Sequence, residues 1–236
     1  MTDRAWDRRH AFLIGLTGAA GTLDALAFLY LGKVFNSFQS GNVLFLGLGA
    51  GAGHGGLVVR AAAVLIAFFV GTAAGARLVG DRVEPAGSLR TERGLFAIEA
   101  ALLALFAVLW LAVGSPAEHP VARVLLLALG AGAMGLQAAF ALALKIPNVI
   151  TVALTATLAY LGERTGDRDR RPEPDRPSTG LLIGLCAVYA VCAFVIAVLP
   201  EAPILSLAPV LVLAGALTID FVRNQAPAAD AVHRLP

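Results

Sequence analysis

The chain has 236 residues and a net charge of +2, with 58% hydrophobic and only 14% charged residues. Ordinary globular domains carry roughly a quarter charged residues, and a soluble protein of this size would leave much of that apolar excess on its surface. Together with a mean hydropathy of +0.79, this excludes a soluble globular domain. The arginines gather in a few loops, a matter of membrane topology rather than of nucleic acid.

Arg4, Arg8 and Arg9 precede an apolar run from Ala11 to Leu31. The run is longer than a signal-peptide core, contains Asp24 and is followed by no small-x-small cleavage pattern, so it reads as a retained first helix. A spanning helix needs about 20 apolar residues. Six stretches meet that length, 11–32, 57–79, 94–113, 121–144, 179–199 and 203–221. Two more, 40–53 and 148–162, are too short and too rich in small or hydroxyl residues to span comfortably.

The N-terminal tail, the 77–93 loop, the 163–178 loop and the C-terminal tail hold most of the arginines; the remaining connections are poor in positive charge. The positive-inside rule places the rich segments, and with them both termini, in the cytoplasm. Both short stretches then enter and leave on one side, 40–53 from outside and 148–162 from the cytoplasm. They read as re-entrant half-helices, which are tolerated at membrane depth when buried in protein or lining a wet cavity. The expected fold is therefore an all-α membrane protein of about six transmembrane helices. Tails 1–10 and 222–236 flank one transmembrane domain, 11–221, made of two inverted three-helix repeats, 11–113 and 121–221, each with a re-entrant half-helix. The segment Ser40-Gly41-Asn42-Val43-Leu44-Phe45-Leu46-Gly47 matches Thr155-Ala156-Thr157-Leu158-Ala159-Tyr160-Leu161-Gly162 position by position in residue character. Upstream, Gly21 to Ala25 pairs with Gly135 to Ala138, setting Asp24 opposite Gln137.

The stretch Gly21-Thr22-Leu23-Asp24-Ala25, followed by Leu31-Gly32-Lys33-Val34-Phe35 and Ser40-Gly41-Asn42, resembles the YoaK family of bacterial membrane proteins. That family's first helix carries Gly-x-x-Asp-Ala, then Leu-Gly-x-Val-Phe and Thr-Gly-Asn. Gly135-Leu136-Gln137 is similar to its second signature, with Thr155-Ala156-Thr157 standing at a Thr-Gly-Thr-like turn. Here Ser40 replaces a threonine and Ala156 a glycine. The resemblance covers roughly 11–221 and implies the bacterial inner membrane and a multi-pass topology, but no established reaction.

Asp24 is the one ionisable residue well inside the first helix. An acid at bilayer depth costs about 2.5–3.5 kcal/mol on insertion scales, a cost met when it is paired, protonated or functional. The functional reading is a proton- or cation-coupling carboxyl, or a ligand for a polar solute. Gln137 is its neutral counterpart and otherwise a bond between helices. Ser40, Gly41, Asn42, Thr155 and Thr157 stand where each half-helix begins, and hydroxyl and amide side chains are favoured caps there. Five extended residues, Phe35 to Gln39, cover roughly 15 Å, which brings Ser40 toward the midplane to meet Thr155. Two helix N-termini facing one site would suit an anionic or strongly polar solute. Glu99, Arg60 and Asp220 lie near span ends and are expected to snorkel; Glu99 is the best of them for gating. Gly15, Gly18, Gly21, Gly71 and Gly75 are expected to let helices approach closely.

His10, His54, His119 and His233 show no metal-ligand spacing, and Cys186 and Cys192 lie on different helix faces. No nucleotide, hydrolase or metalloprotease motif is present. No metal, cofactor or enzymatic activity is expected. The function expected is a small secondary transporter or channel for a small polar or anionic solute, proton coupling resting on Asp24. The alternative is a non-transporting assembly or regulatory subunit. The partners expected are the lipid bilayer and the solute. A path among six helices of one chain is cramped, and a homodimer would relieve it.

Overall fold

In hydrocarbon every backbone polar group must be satisfied within its own segment, which favours helices, and helices are what the chain forms. The computed structural model describes residues 3–79, 90–143, 154–166, 178–199, 203–215 and 217, and among these there is no strand. The helices are α1 (Asp3–Tyr30), α2 (Gln39–Gly51), α3 (Gly55–Val79), α4 (Arg90–Val113), α5 (Pro120–Ala143), α6 (Leu154–Gly166) and α7 (Thr179–Val198). A 3-10 turn, Pro116–Glu118, precedes α5, and another, Pro203–Leu207, runs into a last helix, α8 (208–215).

Among the described residues, five segments are long and apolar enough to cross a membrane: Phe12–Tyr30, Gly55–Val79, Gly94–Val113, Pro120–Ala143 and Thr179–Val198. They coincide with five of the six expected spans, and the chain is an all-α membrane protein. The sixth, 203–221, is represented by a shorter apolar helix, Ile204–Gly215; most of its remainder lies outside the described residues. The two short stretches are helical too. α2 has 13 residues, about 20 Å at 1.5 Å per residue, less than the roughly 30 Å hydrocarbon core; α6 is described over Leu154–Gly166, and the start of its expected stretch, 148–153, lies outside the described residues.

Local chemistry sets the helix ends. Gly32 (φ +111°) and Lys33 (φ +64°) turn the chain out of α1, with Lys33 N–H closing onto Phe28 O at 3.3 Å. The Lys33 ammonium lies 4.7 Å from the Phe28 ring centroid, which helps hold this left-handed residue. Gly53 (φ +70°) makes the α2–α3 turn and Gly114 (φ +73°) ends α4. At the start of α7, Ser178 Oγ accepts from Leu181 N–H at 3.1 Å.

α1 and α5 are the central helices. In each, 72% of the spanning window is buried, against 17–33% for α3, α4 and α7. α1 packs mainly on α7 and α5 mainly on α3, while α4 lies against α5, α2 against α3 and α6 against α7. Both main seams are glycine-lined. A Cβ on Gly21 would come within 2.6 Å of Tyr189 O, and one on Gly18 within 3.3 Å of Cys192 Sγ. On the other seam, a Cβ on Gly71 would collide with Gly132 O, one on Gly75 would lie 2.7 Å from Ala139 Cβ, and one on Gly135 would lie 2.7 Å from Thr72 N. Lipid supplies no hydrophobic force between helices, so such backbone approach is the main source of helix adhesion. Phe12, Phe96 and Phe140 add an edge-to-face cluster joining α1, α4 and α5, with centroids 4.9–5.9 Å apart. Large apolar side chains face outward, among them Phe69 (73% exposed) and Ile66 (64%) on α3, as lipid-facing surfaces require.

Gly135→Ala is expected to lower the melting temperature of the detergent-solubilised protein, overpacking costing about 1–3 kcal/mol. Gly47→Ala, in open space, is expected to leave it unchanged or raise it, since Ala is favoured over Gly in helices by up to about 1 kcal/mol. Thermal unfolding of the two variants side by side checks this.

Candidate functional site around Asp24

The residues joining α1 to α2 do not run straight to the membrane midplane. They fold back along α1. Ser37 N–H donates to Asp24 Oδ1 at 2.7 Å and Ser37 Oγ donates to Oδ2 at 2.6 Å. Asp24 lies six residues before the end of α1, so the linker returns about 9 Å along the helix. Beside it, Asn36 is fully buried; its amide donates to Leu23 O at 3.4 Å, and its Oδ1 has no hydrogen-bond partner among the described residues. Gly130 of α5 makes room for Asn36, since a Cβ there would lie 2.6 Å from its Nδ2.

A third donor reaches Asp24 from the far end of the sequence. Tyr189 of α7 donates to Oδ2 at 2.6 Å. Asp24, only 3% exposed, thus accepts three bonds, of the charge-assisted kind when it is ionised. These donors satisfy a carboxyl that would otherwise be costly at this depth. Along one side of the cluster lies a cavity of about 240 Å³ lined by Gly21, Asp24, Phe28, Phe35, Tyr189 and Ala193, among others. Its walls are apolar apart from the Asp24–Tyr189 pair.

The other expected site residues are placed differently. Asn42 is fully buried and serves the linker: its Oδ1 accepts from Phe35 N–H at 2.9 Å, and its amide donates to Phe35 O at 2.6 Å and to Gln39 Oε1 at 2.9 Å. Gly41 lies under the Phe38 ring, 2.7 Å from where its Cβ would be. Phe35, stacked on Phe28 at 5.2 Å, fixes the same corner. Ser40 is exposed and is not the cap of α2: Phe38 holds that position, with no side-chain hydrogen bond. Thr155 is exposed and Thr157 buried on α6, while the expected start of that segment, 148–153, lies outside the described residues. Neither Ser40 nor Thr155 lines the Asp24 cavity, and α2 and α6 pack on different neighbours.

Gln137 is fully buried, and its amide donates to Leu16 O at 3.0 Å. Leu16 lies eight residues, about 12 Å, from Asp24 along α1. Gln137 therefore bonds across the two central helices and does not share the Asp24 cavity. Glu99 does not snorkel: it is fully buried in α4, and neither carboxyl oxygen has a hydrogen-bond partner among the described residues. Its position away from the cavity lining leaves it outside the Asp24 cluster. Arg60 is tied by its Nε–H to Gly32 O at 3.1 Å, and Asp220 lies outside the described residues.

Sequence reasoning found Asp24 but missed Ser37 and Tyr189. Tyr189 had a signal, being a phenol within an otherwise apolar span, since a buried tyrosine hydroxyl needs a partner.

The family model that matches the chain, over residues 12–220, is described as Protein of unknown function (DUF1275). The chain belongs to this family. The DUF1275 chain is also 31% identical, over 168 residues, to the UPF0700 transmembrane protein YoaK of Bacillus subtilis (strain 168), a match covering 71% of each protein. The resemblance read from Gly21–Ala25 and Leu31–Phe35 is thus the family relationship. No solved structure matches the chain.

Tyr189→Phe and Ser37→Ala are each expected to destabilise this DUF1275 protein by about 1–3 kcal/mol, the loss of one bond to a buried acid. Ser40→Ala is expected to stay within about 0.5 kcal/mol of wild type, as exposed substitutions do. Chemical denaturation in a fixed detergent distinguishes the two serines.

Proposed function

We propose that this protein is a small secondary transporter or channel of the bacterial inner membrane, with its solute site in the cavity beside Asp24. One observation carries the reading: a buried carboxyl bonded to a linker on one side and to α7 on the other faces a cavity large enough for a small solute. Intramembrane acids that face a cavity mark solute and proton pathways. The site offers an acceptor and a phenol against apolar walls, so it suits a small polar solute that donates a hydrogen bond, or a proton or cation coupled to it.

The inverted repeat with re-entrant half-helices is the architecture we propose for this activity. Several features support it. Matching α1 through α4 with α5 through α8 makes the α1–α7 and α3–α5 seams equivalent, and the central helix of each repeat is its first. Gly18 and Gly21 face α7, while Gly132 and Gly135 approach α3 with the same spacing. The fold-back of the linker to Asp24 takes the chain back along α1 before α2 starts, and the 13 residues of α2 are fewer than a span usually needs. By the positive-inside rule, the arginine-rich loops support a topology with both termini in the cytoplasm.

Two measurements test the proposal. In a screen of small polar solutes against the purified protein, at least one is expected to raise the melting temperature and to lose roughly tenfold or more in affinity in Asp24→Asn, as the loss of a bond to a charged group predicts. If every stabilising solute acts equally on Asp24→Asn, the solute site is elsewhere. For the topology, Lys33→Cys and His54→Cys, each in a Cys186→Ala/Cys192→Ala background, are expected to react with an impermeant maleimide from the same face of the membrane. Labelling from opposite faces would mean that α2 crosses.

A further inference from the structure

A second cavity, of about 250 Å³, lies at the end of the bundle where α3 and α5 begin, lined by Gly56, Val59, Arg60, Pro120, Arg123 and Val124. This end is opposite the 77–93 loop and is otherwise poor in basic residues. Two arginines from different helices nonetheless share one cavity there. Their guanidinium groups repel each other, and neither has a carboxylate within ion-pair distance among the described residues. Glu118 and His119, just before α5, are exposed and pair with neither.

Both side chains are held by main-chain carbonyls. Arg60 Nε–H donates to Gly32 O at 3.1 Å, and Gly32 must be glycine there, since a Cβ would come within 2.5 Å of that Nε. Arg123 Nε–H donates to Pro116 O at 3.3 Å and its Nη2 donates to Ala117 O. These bonds aim the two forks and leave both Nη groups of Arg60 and Nη1 of Arg123 uncommitted among the described residues. Gly56 keeps the space beside Arg60 Nη1 clear, its missing Cβ being 3.3 Å away. The N-termini of α3 and α5 add their positive dipole ends to the same place.

Two positioned guanidinium forks with spare donors and no anion among the described residues form half of an ionic pair. We propose that the Arg60–Arg123 cavity binds an oxyanion, a phosphate or carboxylate group, bridged between the two arginines. Planar guanidinium groups bind such anions through paired N–H donors, which an ammonium does not reproduce. The same chemistry is presented by a dissolved anion and by the phosphate of an anionic lipid headgroup. The site is separate from the Asp24 cavity, and its occupancy does not depend on transport.

The test uses the full-length protein in neutral detergent, titrated with inorganic phosphate at constant ionic strength set by chloride. Saturable binding is expected, weakened about tenfold or more in Arg123→Gln and in Arg60→Gln. Arg123→Lys, which keeps the charge but not the fork, is expected to weaken it as well. Repeating the titration in nanodiscs separates the sources. If phosphatidylglycerol abolishes phosphate binding that persists in phosphatidylcholine, the natural ligand is a lipid headgroup; if binding persists in both, it is a dissolved anion. Non-saturable binding by wild-type protein overturns the proposal, whatever the variants' folding. So does equal affinity in wild type and in monodisperse Arg123→Gln.

Discussion

Asp24 and its three donors hold together parts of the chain that otherwise touch mainly through apolar packing. Ser37 ties the α1–α2 linker against α1, and Tyr189 ties α7 to the same carboxyl. Dispersion forces between apolar helices in lipid are nearly indifferent to sliding and rotation, because lipid tails pack almost as well as side chains do. A hydrogen-bonded acid is not indifferent. It has few productive geometries and a large penalty outside them, so one residue sets both the depth of the linker and the rotation of α7. The cavity beside it exists because that geometry holds Phe28 and Phe35 on one wall and the small side chains of Gly21 and Ala193 on others.

The remaining polar groups follow a similar logic at lower stakes. Gln137 links the two central helices through one amide bond, and Asn42 braces the linker by bonding both polar groups of the Phe35 backbone. These are neutral groups, less costly than a charge to keep in an apolar medium. Glu99 does not fit this pattern. It is as buried as Gln137, yet it has no hydrogen-bond partner among the described residues.

Most of the fold was legible because membrane solvation leaves a coarse signature. Runs of about 20 apolar residues mark spans, and five were found where the runs lie. The shortness of α2 was legible for the same reason. The glycines of the two seams were readable as packing residues, although their partners were not, since contact between distant helices leaves no periodic trace in one sequence. The candidate site was half legible. Asp24 stood out because a charge within an apolar run is conspicuous. Ser37 did not, because its contact depends on a linker that folds back instead of extending, a choice made by Asn42 and Phe35. Ser40 was misplaced by a capping rule that reads helix starts from residue type, whereas Phe38 precedes α2 without any capping side chain.

The seams also fix the order in which the molecule is completed. α1 is made early, but its main neighbour is α7, and the bond from Asp24 to Tyr189 joins residues 165 positions apart in a chain of 236. During synthesis the Gly18–Gly21 face of α1 must wait, bare to lipid or to the insertion machinery, until nearly the whole protein has followed it. The buried acid waits less. Ser37 is only 13 residues downstream, so two of the three donors arrive with the first hairpin, and the nascent helix carries its own provisional partner until the late one is delivered.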